Sequence, residues 1–66
     1  MRVKYIGKDR IAEVWKNQSE KRNIQLINGY NFNVEYWCGI NSVVTEYGEW
    51  ICDEDSPCFK QEFEAI

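Results

Sequence analysis

The stretch Tyr30-Asn31-Phe32-Asn33-Val34-Glu35-Tyr36 decides how the chain folds. Aromatic and β-branched residues alternate with polar ones over seven positions, the period of two that gives a strand with one face buried. A helix would scatter these residues, because a 100° step sends every second side chain to a different side of the cylinder. The turn pair Asn28-Gly29 opens the stretch, and Cys38-Gly39-Ile40-Asn41 closes it as a second turn.

Working outward, Met1, Val3 and Tyr5 alternate with Arg2 and Lys4 and stop at Gly7, which predicts a first strand. Val43-Val44-Thr45 and Trp50-Ile51-Cys52 read as two short strands joined near Gly48. Asp53 to Pro57 reads as a turn and Cys58-Phe59 as a last short strand, with Phe63 and Ile66 as apolar plugs at the end. Residues 8–25 are ambiguous. Ile11, Val14 and Trp15 stand at helical spacing behind Asp9 as N-cap, but Gln18, Ser19 and Arg22 follow on the same face and end the stripe. Ile11 to Trp15 equally reads as a strand entering a polar loop, with Ile24 and Leu26 returning. The favoured expectation is a long excursion holding at most a short helix within residues 9–22.

The chain has 66 residues, 44% of them apolar and ten of them aromatic. That is one domain, too apolar to stay disordered. A domain this small buries only roughly 60% of the surface its unfolded chain exposes, so few side chains are spare for chemistry. The expected fold class is mainly β: a small five-stranded SH3-like barrel or bent antiparallel sheet with an expanded first loop, since curling removes the edges that invite aggregation.

Segments spread along the chain resemble the small SH3-like barrel proteins of Gram-positive bacteria and their phages. They are Met1 to Gly7, Leu26-x-x-Gly29-Tyr30-x-Phe32-x-Val34, Val43 to Glu49, and Phe63-Glu64-Ala65-Ile66. The resemblance implies a single SH3-like domain over residues 1–66. The sequence departs from that family in having Tyr30 where the family has lysine after the glycine, and in a longer first loop. Most members have no assigned molecular function, so the resemblance speaks to fold rather than activity.

The net charge of −3 conceals two halves. Residues 1–22 hold Arg2, Lys4, Lys8, Arg10, Lys16, Lys21 and Arg22 against Asp9, Glu13 and Glu20, a balance of +4. Residues 23–66 hold Lys60 against eight carboxylates, a balance of −7. Five charges in the first ten residues argue against a secretory leader, and no run approaches the roughly 20 apolar residues of a membrane span. A cytoplasmic location is expected, in the host cell if the gene is a phage's, with no membrane partner. Asn17-Gln18-Ser19 fits the glycosylation pattern but in that setting is a polar loop.

Catalytic readings fail on residue types. Without histidine there is no Ser-His or Cys-His pair, and the four glycines form neither a dinucleotide fingerprint nor a phosphate loop. Asp53-Glu54-Asp55 are expected at a wet turn, whereas acid catalysis needs a desolvated pocket, and they lack the glycine and distal glutamate of a calcium loop. Cys38, Cys52 and Cys58 contain no Cys-x-x-Cys pair, so zinc lacks a ligand set. Cys52 and Cys58 flank a short turn and would suit a disulfide in an oxidising compartment; in a reducing one they are small apolar thiols. No enzyme activity, metal or cofactor is expected.

Ten aromatics exceed what a five-stranded barrel buries, so some reach the surface as interface anchors. Trp15 and Trp37, each at a loop edge, are the candidates, while Tyr36 and Trp50 fit the core phase. The expected function is a non-enzymatic protein-binding module, an inhibitor of a host enzyme or defence complex. In it Glu46, Glu49, Asp53, Glu54 and Asp55 would imitate nucleic-acid phosphates. The alternatives are a nucleic-acid binder using the basic loop, with Lys8, Arg10, Lys16, Lys21 and Arg22 on phosphates and Trp15 stacked on a base, and an accessory subunit that weakly self-associates through its opposite charges.

Overall fold

A computed structural model describes residues 1–66, apart from the side chain of Trp37. It is mainly β. The elements are β1 (Arg2–Tyr5), β2 (Arg10–Trp15), β3 (Lys21–Leu26), β4 (Asn31–Trp37), β5 (Ile40–Val44), β6 (Trp50–Asp53), α1 (Pro57–Glu62) and β7 (Phe63–Ala65). All seven strands lie in one antiparallel sheet in the order β3-β2-β6-β5-β4-β1-β7.

Two expectations need correction. Seven strands are present rather than five: residues 8–25 form neither a long loop nor a helix but the hairpin β2–β3, paired from Arg10↔Leu26 to Trp15↔Lys21, and Phe63–Ala65 rather than Cys58-Phe59 is the last strand. Ala12 and Val14 face inward while Ile11 and Glu13 face solvent, so the buried positions alternate. The helical spacing of Ile11, Val14 and Trp15 misleads because the inward residue Ala12 is small and Ile11 is 62% exposed. Asn17 makes the turn: its Oδ1 accepts from Ser19 N (2.9 Å), Ser19 Oγ (3.0 Å) and Glu20 N (3.0 Å).

The second correction concerns Cys58-Phe59, which belong to α1 rather than to a strand. Ser56 caps that helix, its Oγ accepting from Phe59 N at 3.3 Å, and Pro57 occupies the first turn, where its missing N–H costs nothing. The Ser-Pro pair read as a turn is thus a helix start.

The sheet is strongly curled. The domain measures 27 × 25 × 20 Å, and strands from both edges of the sheet contribute to the same core. Val3 and Tyr5 from β1, Val14 from β2, Leu26 from β3, Val43 from β5 and Phe63 from β7 share it. Tyr5, Phe32 and Phe59 surround Phe63 with ring centroids 5.4, 6.1 and 6.4 Å away. A bulge between Val43 and Val44 leaves Ile51 without a partner on β5 and turns both Ile51 and Cys52 into the core.

Opposite ends of the curl are fastened by a polar cluster. Arg10 at the start of β2 donates from Nε to Glu62 Oε2 (2.9 Å) and from Nη2 to Glu62 Oε1 (2.7 Å). Tyr5 Oη donates to the Lys8 carbonyl and lies 3.0 Å from Glu62 Oε2, and Cys58 Sγ donates to Glu62 Oε1 at 3.1 Å. With these donors, Arg10 first among them, Glu62 ionises at about 2 instead of 4.5. Cys52 and Cys58 are both free thiols. Burial foremost, with the neighbouring Cys58, pushes Cys52 up to about 12.

Candidate functional site

The richest surface lies at one end of the curled sheet, where the tip of the β2–β3 hairpin meets the turn between β5 and β6. That turn is built by Thr45: its Oγ1 accepts from Tyr47 N (3.3 Å) and Glu49 N (3.2 Å) and donates to Glu49 Oε1 (3.0 Å). Its backbone closes through Thr45 N to Glu49 O and Gly48 N to Thr45 O, both 2.9 Å. The turn tip therefore holds Tyr47 outward, 66% exposed.

Arg22 ties β3 to this turn. Its Nε donates to Glu49 Oε2 at 2.6 Å and its Nη2 to Glu49 Oε1 at 2.7 Å, the two-pronged geometry of a guanidinium on a carboxylate. Glu49 is buried, and Arg22 before any other group holds its carboxyl below the ordinary range. The guanidinium also stacks over Tyr47, 5.7 Å from the ring centroid.

Two concavities open at this end of the sheet. The first, a groove of ≈340 Å³, has Ile24 and Phe32 among its lining residues, with Tyr30, Tyr47, Arg2 and Glu46 around them. The second, a cleft of ≈400 Å³, lies against Trp15 and Trp50, which are direct cross-strand partners. Trp50 Nε1 donates to Asp53 Oδ1 at 2.7 Å, and Ser42 Oγ donates to the same oxygen at 2.7 Å. The indole N–H is thereby satisfied within the fold, which leaves the ring as an apolar surface. Lys21 Nζ sits 5.3 Å from the Trp15 ring and 3.4 Å from Glu13.

Of the residues singled out from the sequence, this end gathers Trp15, Lys16, Lys21, Arg22, Glu46 and Glu49. It does not gather the others. Arg10 is committed to Glu62, and Lys8 is exposed beyond Tyr5. Asp53, Glu54 and Asp55 lie at the far end of β6, so the acidic residues form no single patch. Asp53 is occupied by Ser42 and Trp50, Glu54 accepts from Asn41 Nδ2 at 3.1 Å, and Glu49 from Arg22; Glu46 and Asp55 are the two that point freely outward. The side chain of Trp37 lies outside the described residues.

Tyr36, assigned to the core by its phase, is 71% exposed: β4 packs inward through Phe32 and Val34 only. Trp50, also assigned to the core, is half-buried and faces the cleft. Tyr30 and Trp50 carry no sequence signal of their place at the surface. The one usable signal is Tyr47, since a residue between Glu46 and Gly48 at a turn tip has nothing to pack against.

No match was found to any protein-family model, to any curated protein or to any solved structure. No helix is long and apolar enough to cross a membrane.

Proposed function

We propose that this protein is a non-catalytic protein-binding module whose contact surface is the end formed by the β2–β3 hairpin and the 45–49 turn. The observation that carries the reading is the pair of aromatic-lined concavities at this end, one with Tyr30, Phe32 and Tyr47 and the other with Trp15 and Trp50. Rigid aromatic side chains standing beside pre-formed hollows offer large contact area at little entropic cost. The reading includes an inhibitor that occupies a host enzyme. Imitation of nucleic acid has less support, because three of the five carboxylates it would use are engaged inside the molecule. An SH3-like barrel remains the fold reading we favour; it is supported by the first strand pairing with the last and by the excursion that follows it.

The test is affinity capture from host lysate at low and moderate salt with wild type, Trp15→Ala and Tyr47→Ala. A specific partner retained by wild type and lost by both variants, with unchanged thermal stability, is expected. Absence of any specific partner at both salt levels, or one captured equally by the variants, refutes the proposal.

A further inference from the structure

The outermost strand β3 runs along the first groove and has one edge free of any neighbouring strand. Lys16 N donates to Glu20 O, which makes residues 16 and 20 a hydrogen-bonded pair of the hairpin. Pairs alternate along an antiparallel ladder. With the register Trp15↔Lys21 through Arg10↔Leu26, Arg22, Ile24 and Leu26 bond inward to β2, while Lys21, Asn23 and Gln25 turn their N–H and C=O groups away from it. β3 is the terminal strand of the sheet, so these groups meet no further strand. The opposite edge, β7, is only three residues long.

We propose that an extended, acidic segment of a partner protein adds to β3 as an eighth strand, lying in the groove. This deepens the protein-binding reading and rests on it. Main-chain bonds to Lys21, Asn23 and Gln25 would supply affinity independent of sequence, and the groove would supply specificity. Ile24 and Phe32, both half-buried on the fringe of the core, receive one apolar side chain, with Tyr30 and Tyr47 around it. Charge fixes the partner's sign. β3 carries no acid; its Lys21 pairs with Glu13 away from the groove, but Arg22 lines the groove, as does Arg2, which has no carboxylate partner among the described residues. Arg22 bonds Glu49 through Nε and Nη2, leaving Nη1 for a carboxylate outside. Glu46 is the one acid among the groove's lining residues. A second copy of this chain would bring Lys21 and Arg22 to the same edge and gain no such complement.

The experiment selects binders to the intact protein from a random heptapeptide display library and measures the affinity of the enriched peptides for wild type, Asn23→Pro and Tyr36→Ala. Proline at position 23 removes an N–H that the hairpin does not use, so the fold survives and circular dichroism verifies it. Enriched peptides are expected to alternate apolar and polar residues and to carry Asp or Glu. Binding should fall at least about tenfold in Asn23→Pro, some 1.4 kcal/mol, and stay within about twofold in Tyr36→Ala, whose exposed ring lies outside both concavities. No enrichment, basic enriched peptides, or binding indifferent to Asn23→Pro overturns the proposal. Proteins captured from lysate that are lost with Trp15→Ala but not with Asn23→Pro would leave the binding module standing and remove the edge site. Light scattering that shows a dimer abolished by Asn23→Pro would assign the edge to a second copy, and a salt-dependent anisotropy change with oligo-dT would assign the groove to single-stranded nucleic acid; either overturns the peptide.

Discussion

Arg10 and Glu62 stand 52 residues apart in sequence and meet through two hydrogen bonds of 2.9 and 2.7 Å. One opens β2, near the β3 end of the sheet, and the other ends α1, just before the opposite edge strand. The pair therefore fastens the curl that gives the domain an enclosed core. Glu62→Ala should lower stability by about 1–2 kcal/mol, a range kept modest by the partial exposure of Arg10. A double-mutant cycle with Arg10→Met in urea should show positive coupling. Additive effects would mean that the two ends hold together without the pair.

The same carboxylate sets an acid limit. Its folded-state pKa of about 2 lies below the ordinary 4.5, so the stabilisation is complete above 4.5 and drains away as pH falls toward 2. Wild type should lose stability through that window, and Glu62→Gln should lose less of it. Equal pH slopes for the two proteins, measured by thermal melts across the window, would exclude this role.

Gly7 is where the chain passes closest to the cluster. A Cβ there would stand 2.7 Å from Tyr5 Oη and 2.8 Å from Glu62 Oε2. Gly7→Ala should cost about 1–3 kcal/mol by displacing the Tyr5 hydroxyl. A melting temperature equal to that of wild type would count against the cluster's importance.

The β4–β5 turn holds an avoidable strain. Cys38 has φ 55° and Gly39 φ 83°, both in the left-handed region, and Cys38 lacks the side chain that tolerates it. Cys38→Asn should raise stability by a few tenths to about 1 kcal/mol. It should also remove the one exposed thiol, so that a native-state thiol titration falls from one fast group to none while Cys52 and Cys58 stay slow. A fast group that persists in Cys38→Asn would overturn this assignment.

Local pattern was enough for β1 and β4, because alternation in Val3-Lys4-Tyr5 or Phe32-Asn33-Val34 reports a buried face directly, while β-branched content marked β6 and the second half of β5, whose first residues Ile40 and Asn41 read as turn. The β2–β3 hairpin escaped, since Ala12 is too small to mark an inward position and Ile11 faces solvent; α1 escaped because Ser56-Pro57 serves a turn and a helix start equally well. Composition determined a small mainly-β domain with more aromatics than it could bury. Which aromatics those are was a tertiary matter. Trp15 meets Trp50, and Arg22 meets Glu49, only because the hairpin's register and the curl of the sheet carry residues 27 to 35 positions apart to one end. The same folding drew Glu49, Asp53 and Glu54 into internal hydrogen bonds and separated charges that look continuous in sequence. Charge is written residue by residue, but whether it faces a partner depends on which donor the fold sets beside it.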